Sequence, residues 1–132
     1  MRSLTSAVVD AVVAHAREEA PAECCGVLVG RGGDVVEAIR TRNAADGPTR
    51  FLIDPRDHFA AIRSARARQL EVVGYYHSHP HSAPQPSETD LAEANYPDHL
   101  SLIVSLASDP PVLRLYCFDG RNFLEEPFVT LR

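Results

Sequence analysis

The sequence predicts an α/β (α+β) domain, in which helices pack on a single β-sheet. Three observations support this. The chain has 132 residues, 45% of them hydrophobic and 23% charged, the size and make-up of one globular domain over residues 1–132. Two stretches in its first half carry helical periodicity with start and stop signals. Short β-type runs lie between and after them.

The first helix is read from Leu4, Ala7, Val8, Ala11, Val12 and Ala16, which recur at helical spacing after Ser3 as N-cap; it runs from residue 4 to 19, and Pro21 ends it. Cys24 to Val29 and Val35 to Arg40 flank the turn-like Gly32-Gly33-Asp34 and read as a hairpin, followed by a short strand from Phe51 to Ile53. Asp54-Pro55 opens a second helix that reaches about Leu70 and places Phe59 and Ile62 inward. A strand from Val72 to His77 is broken by the Pro-rich segment 78–86. A short helix then runs from Ser87 to about Asn95, closed by Pro97. Leu100 to Leu106 is a continuous apolar run that suits a central strand. Val112 to Phe118 and Phe123 to Leu131 are joined around Asp119-Gly120, a hairpin signal.

Composition narrows the chemistry. All 13 cationic side chains are Arg and none is Lys, which excludes Schiff-base and phosphate-loop lysine chemistry. A net charge of -5 disfavours nucleic acid and anionic membranes as partners, so proteins or small molecules are expected. The three cysteines have no C-x-x-C spacing and suggest neither a disulfide framework nor a thiolate site, which points to a reducing cytoplasm. The apolar N-terminal stretch imitates a secretory signal, but Asp10 interrupts it, and an amphipathic helix is the better reading. No run reaches the ~18 apolar residues of a membrane span.

The strongest chemical signal is His77, His79 and His81 at a strand end. Strand residues two apart share a face, so His77 and His79 can direct their imidazoles at one point, as a metal ion requires. Pro80 ends that alternation, and His81 is expected to leave the face. A catalytic zinc site needs a third donor, and Asp90 is the best candidate, with Glu88 and Glu93 as rivals. A second reading of Asp90 stands beside this one, because Ser87-Glu88-Thr89-Asp90 is also an S-x-x-D capping box. Glu23 precedes a small-apolar strand, and it is either an edge residue in water or a carboxylate aimed into a site.

Glu23-Cys24-Cys25-Gly26, His77-Ser78-His79-Pro80 and Ser87-Glu88-Thr89-Asp90 together resemble the signature of the JAMM (MPN-plus) zinc metallopeptidases, in order and in spacing. The resemblance covers nearly the whole chain. It implies a curved mixed sheet flanked by helices, the cytidine-deaminase-like JAMM/MPN fold. It implies that His77, His79 and Asp90 bind one Zn2+ per chain, with water in the fourth position. Glu23 would act as general base and Ser87 as oxyanion donor. The implied reaction is hydrolysis of the bond after the C-terminal Gly-Gly of a small ubiquitin-like or sulfur-carrier protein, such as release of cysteine from a carrier adduct.

Three alternatives differ in class. A non-catalytic scaffold of the same fold generally lacks the ligand set that is complete here. A thiol hydrolase would use Cys24 or Cys25 with His77, although free cysteines in an apolar strand are usually core. A metal-binding cupin barrel needs a glutamate where Ala83 and Pro84 stand. The sequence leaves open whether the domain forms a homodimer and whether Tyr75 or the arginines between Arg56 and Arg68 contact substrate.

Overall fold

The computed structural model describes residues 1–45, 47, 50–87, 90 and 98–132. Its elements are β1 (Arg2–Thr5), α1 (Ser6–Glu19), β2 (Cys25–Arg31), β3 (Asp34–Thr41), α2 (Pro55–Ala67), β4 (Glu71–His79), β5 (Leu100–Ser105), β6 (Val112–Phe118), β7 (Phe123–Glu126) and β8 (Phe128–Leu131). Among the described residues they form one eight-stranded mixed sheet in the order β7-β6-β5-β4-β2-β3-β1-β8. No helix among these residues is long and apolar enough to cross a membrane.

That strand order forces curvature. β7 and β8 sit at opposite ends of it, yet only Pro127 separates them in the chain. Two Cα steps span at most about 7.6 Å, whereas eight flat strands would be roughly 34 Å across. The sheet therefore curls until its two edges approach. The single strand expected over 123–131 is split at Pro127, which has no N–H to continue a ladder. Glu126 pairs with β6, and two residues later Phe128 pairs with β1.

The start of the chain also differs from expectation. Residues 2–5 are a strand, parallel to β3 and β8, and Ser3 donates its hydroxyl to Asp34 (2.6 Å) instead of capping a helix. Thr5 is the N-cap, accepting from the Val8 amide at 3.2 Å. Leu4 is wholly buried with Val8 and Val12, so helical periodicity ran two residues too far. A buried Leu fits either state, and the choice is made by partners more than twenty residues away.

Of the two helices whose ranges are given above, each packs on its own face of the sheet. α1 covers Leu28, Tyr76, Leu102 and Val104. α2 covers Val27 and Val29 through Ala61 and Ala65, whose small side chains allow close approach. Phe59 is not inward: it is 61% exposed, with the Arg63 guanidinium 5.9 Å from its ring centroid. Two residues from Ala61 is about 200° around the helix, so burying the alanine stripe turns Phe59 outward. The α2 start follows expectation, with Asp54 accepting from the Arg56 and Asp57 amides and Pro55 in the first turn.

Phe51 to Ile53 is not a strand; one bridge, Asn43 to Ile53, ties it to the sheet. β4 runs two residues further than expected because it pairs in parallel with β5 as far as His79 and Ser105. Apart from Ser87 and Asp90, the helix expected over 87–95 lies outside the described residues, as do Glu88 and Glu93.

Gly26 shows how tightly the sheet centre is packed. A Cβ there would meet the Tyr76 ring and stand 2.5 Å from the Ile39 carbonyl oxygen. Gly26→Ala should therefore cost about 3 kcal/mol of stability, at the upper end for overpacking. Urea denaturation checks this, and a midpoint equal to wild type would contradict the packing.

Candidate metal centre

His77 and His79 emerge from the C-terminal end of β4 on one face, and Asp90 folds back onto them. The His77 and His79 Nε2 atoms are 3.2 Å apart, and each lies 3.1 Å from Asp90 Oδ2. All three residues are buried. The edges of this triangle resemble the donor–donor distance of about 3.3 Å that tetrahedral geometry gives at metal–ligand bonds of ~2.05 Å.

The protonation pattern fits a cation as well. His79 Nδ1 lies 2.9 Å from the Ala83 carbonyl oxygen. A carbonyl only accepts, so Nδ1–H is the donor and the Nε2 lone pair is free to face the triangle. Two imidazole nitrogens and a carboxylate oxygen turned on one another repel unless a proton or a metal ion lies among them. These three atoms form the one metal-competent cluster among the described residues.

The electrostatics follow from burial and pairing. Burial alone would raise the Asp90 carboxyl, but the His77 and His79 imidazoles, which donate to it when protonated, outweigh burial and hold the group well below the usual carboxylate range. Burial pushes the His77 imidazole down, against the pull of Asp90. For His79 burial acts in the same sense, yet its bonds to Asp90 and Ala83 prevail and the imidazole is raised.

Ser87 and Asp90 form the capping box in full. The Ser87 amide donates to Asp90 Oδ2 at 2.8 Å, and the Asp90 amide donates to Ser87 Oγ at 2.9 Å. The two readings of Asp90 are therefore compatible, since one oxygen serves both the amide and the histidines. Ser87 remains exposed.

Glu23 is a buried carboxylate of this site and not an edge residue in water. It is 8% exposed, and its Oε1 atom is buried without a hydrogen-bond partner among the described residues. Burial, reinforced by Asp90 and opposed by His79, pushes its carboxyl up to about 7. Its place is set by Ser78, which lies between the two histidines. The Ser78 hydroxyl accepts from the Cys24 amide at 2.8 Å, and the Ser78 amide donates to the Cys24 carbonyl at 3.1 Å.

Four contributors escape reading from the sequence. These are Ser78, the Ala83 carbonyl, Phe51 and Asn43. The Phe51 ring stacks on His77 at 4.2 Å and 14°. The Asn43 amide donates to the Glu23 carbonyl at 3.1 Å. Of these only Ser78, inside His-Ser-His-Pro, had a local signal. His81 is exposed and outside the triangle. Tyr75 shares the His77 face, but its hydroxyl is engaged with His58 Nε2 at 3.0 Å. Arg56, Arg63 and Arg66 are exposed on α2, while Arg68 binds Glu37 at 2.6 Å.

The thiols do not resemble a nucleophile. Burial pushes both Cys24 and Cys25 up to about 11, and the Cys25 sulfur contacts Thr41 Oγ1 and the Arg42 carbonyl. An activated cysteine shows the opposite shift.

Residues 5–117 match the family described as prokaryotic homologs of the JAB domain. The chain is 37% identical over 110 residues to a desampylase of Haloferax volcanii, covering 78% of this chain and 79% of that protein. It is 37% identical over 124 residues to a CysO-cysteine peptidase of Mycobacterium tuberculosis, covering 91% and 84%. A solution structure of a protein from Desulfitobacterium hafniense superposes with a TM-score of 0.90 at 32% identity, covering 98% of this chain and 92% of that one. A JAB1/MPN domain protein from Archaeoglobus fulgidus shares the fold, with a TM-score of 0.67 at 20% identity and 100% coverage of both chains.

Proposed function

Because the chain belongs to the prokaryotic homologs of the JAB domain, a group of JAMM-type hydrolases, we propose that it is a zinc peptidase acting on small protein carriers. The bond cleaved follows the C-terminal Gly-Gly of a ubiquitin-like or sulfur-carrier protein. The observation that carries this reading is the buried His77-His79-Asp90 triangle beside a carboxylate whose Oε1 has no partner among the described residues. Two imidazoles and one carboxylate suit a catalytic zinc, which takes three protein ligands and keeps a position open.

When bound, zinc lowers the pKa of a coordinated water to about 7 and polarises the substrate carbonyl. Glu23 accepts a proton from the attacking water and returns it to the leaving amine, a task for which a carboxyl poised near neutrality is suited. Ser87 donates its hydroxyl proton to the oxyanion of the tetrahedral intermediate, a contact worth roughly 3 kcal/mol of barrier. His77, His79 and Asp90 would hold the zinc, with Asp90 anchored by the Ser87 amide. The carrier reading draws on the relatives, one named a desampylase and one a CysO-cysteine peptidase. The described cysteines are free, which suits the reducing cytoplasm.

The test incubates the purified chain with carriers ending in Gly-Gly joined to cysteine or to a lysine amine, followed by intact mass spectrometry. The expected result is near-stoichiometric zinc, release of the unmodified carrier, loss of activity with 1,10-phenanthroline and persistence after thiol alkylation. A chain without metal, or one inhibited only by alkylation, would overturn the proposal.

A further inference from the structure

The residues around the triangle hold its two histidines by different means. His79 is fixed through Nδ1 by the Ala83 carbonyl. Among the described residues His77 has no such anchor: its Nδ1 is buried without a hydrogen-bond partner. A metal-binding imidazole is ordinarily oriented by a bond at its second nitrogen. The His77 ring instead lies face to face with Phe51, at 4.2 Å and 14°. Phe51 belongs to no strand or helix, so something else must hold it there.

That something is Asn43. Its Nδ2 donates to the Glu23 carbonyl (3.1 Å) and the Arg50 carbonyl (3.0 Å), and its Oδ1 accepts from the Ala45 amide (3.0 Å) and the Leu52 amide (2.9 Å). These four bonds saturate the side chain. Two of them clamp the residues on either side of Phe51. A third reaches the backbone of Glu23, and the Asn43–Ile53 bridge with the Ala44–Leu52 bond closes the loop around them. One amide thus ties the carboxylate side of the site to the ring that backs His77.

We propose that Asn43 is a positioning residue for both halves of the centre, holding the Glu23 backbone directly and orienting His77 through Phe51. This rests on the zinc reading of the triangle. No other amino acid supplies the same pattern at this length. Asp lacks the two donors and would set a carboxylate against two carbonyls, and Ser is too short to reach both chains.

The experiment uses the full chain and measures zinc affinity by competition with a chromophoric chelator. Asn43→Asp and Phe51→Leu should each weaken zinc binding about 10-fold or more, the usual effect of removing an outer-shell support. Phe51→Tyr, which keeps the stacked ring, should restore wild-type affinity. Asn43→Asp should also lower kcat at least tenfold with KM changed less than threefold, because Glu23 moves while the substrate surface does not. In the metal-free chain both variants should shift the His77 imidazole resonances in NMR and leave those of His15 in place. Wild-type affinity, kcat and imidazole shifts in both variants would overturn the inference and leave the zinc reading standing. An unmodified chain that holds no zinc would instead overturn the zinc reading, and the imidazole shifts would still report on Asn43 and Phe51. If Asn43→Asp fails to fold, the Phe51→Leu and Phe51→Tyr pair decides the matter alone.

Discussion

Glu23→Gln should lower kcat about 10³-fold, within the range for loss of a general base, while the protein retains a full complement of zinc. The amide cannot take a proton from water, yet it is isosteric and lies outside the ligand triangle. Zinc analysis and single-turnover cleavage of a carrier conjugate check the two halves. Full activity in the variant would remove Glu23 from the mechanism.

The same substitution has a thermodynamic consequence in the metal-free chain. Folding raises the Glu23 carboxyl from its ordinary value of 4.5 to about 7. Between these values the folded state keeps a proton that the unfolded state has released, so this stabilisation is full below about pH 4.5 and is lost as pH rises through about 7. At pH 8 the cost is about 3 kcal/mol relative to a neutral group. Glu23→Gln should remove it, making the metal-free variant the more stable protein at pH 8 and leaving the two nearly equal at pH 4. Denaturation of both proteins across pH 4–8 measures the difference, which includes the coupling of Glu23 to His79. The lowered Asp90 carboxyl acts in a separate window, since its stabilisation fails only below its ordinary range near pH 4.

Asp90→Asn should weaken zinc binding by at least about 100-fold and reduce turnover in proportion, more than the loss of an outer-shell support. The carboxamide can still accept from the Ser87 amide, so the capping box survives. The anion facing His77 and His79 does not. Asp90→Ala should also lose the bond from the Ser87 amide, the reciprocal half of the capping box, at about 1 kcal/mol, and the comparison separates that bond from metal binding. Chelator competition and thermal unfolding of the metal-free proteins provide the readouts. Equal zinc affinity in wild type and Asp90→Asn would exclude Asp90 as a ligand.

The legible parts of the protein are those encoded by neighbours in the chain. Alternation on one strand placed His77 and His79 together. Proline and glycine marked the turn after His79 and the Asp119-Gly120 hairpin, where Asp119 accepts from the Arg121 and Asn122 amides. Asp54-Pro55 opened α2 where expected. Local sterics and capping decide such features, so a window of a few residues contains the necessary information.

Tertiary pairing decided the rest. Leu4 joined a strand because β3 and β8 stood ready to pair with it. Phe59 turned outward because Ala61 and Ala65 could approach the sheet more closely. Glu23 could be read as an edge residue or a site carboxylate until Ser78, 54 positions after Cys24, locked the start of β2 beside the histidines. Asn43 and Phe51 gained their places through contacts with Glu23 and His77, for which no periodicity exists. Burial and long-range hydrogen bonding are properties of the assembled sheet. The sequence specified which groups could do chemistry, and the pairing of β2 with β4, with Asp90 folded back onto the histidines, brought them together.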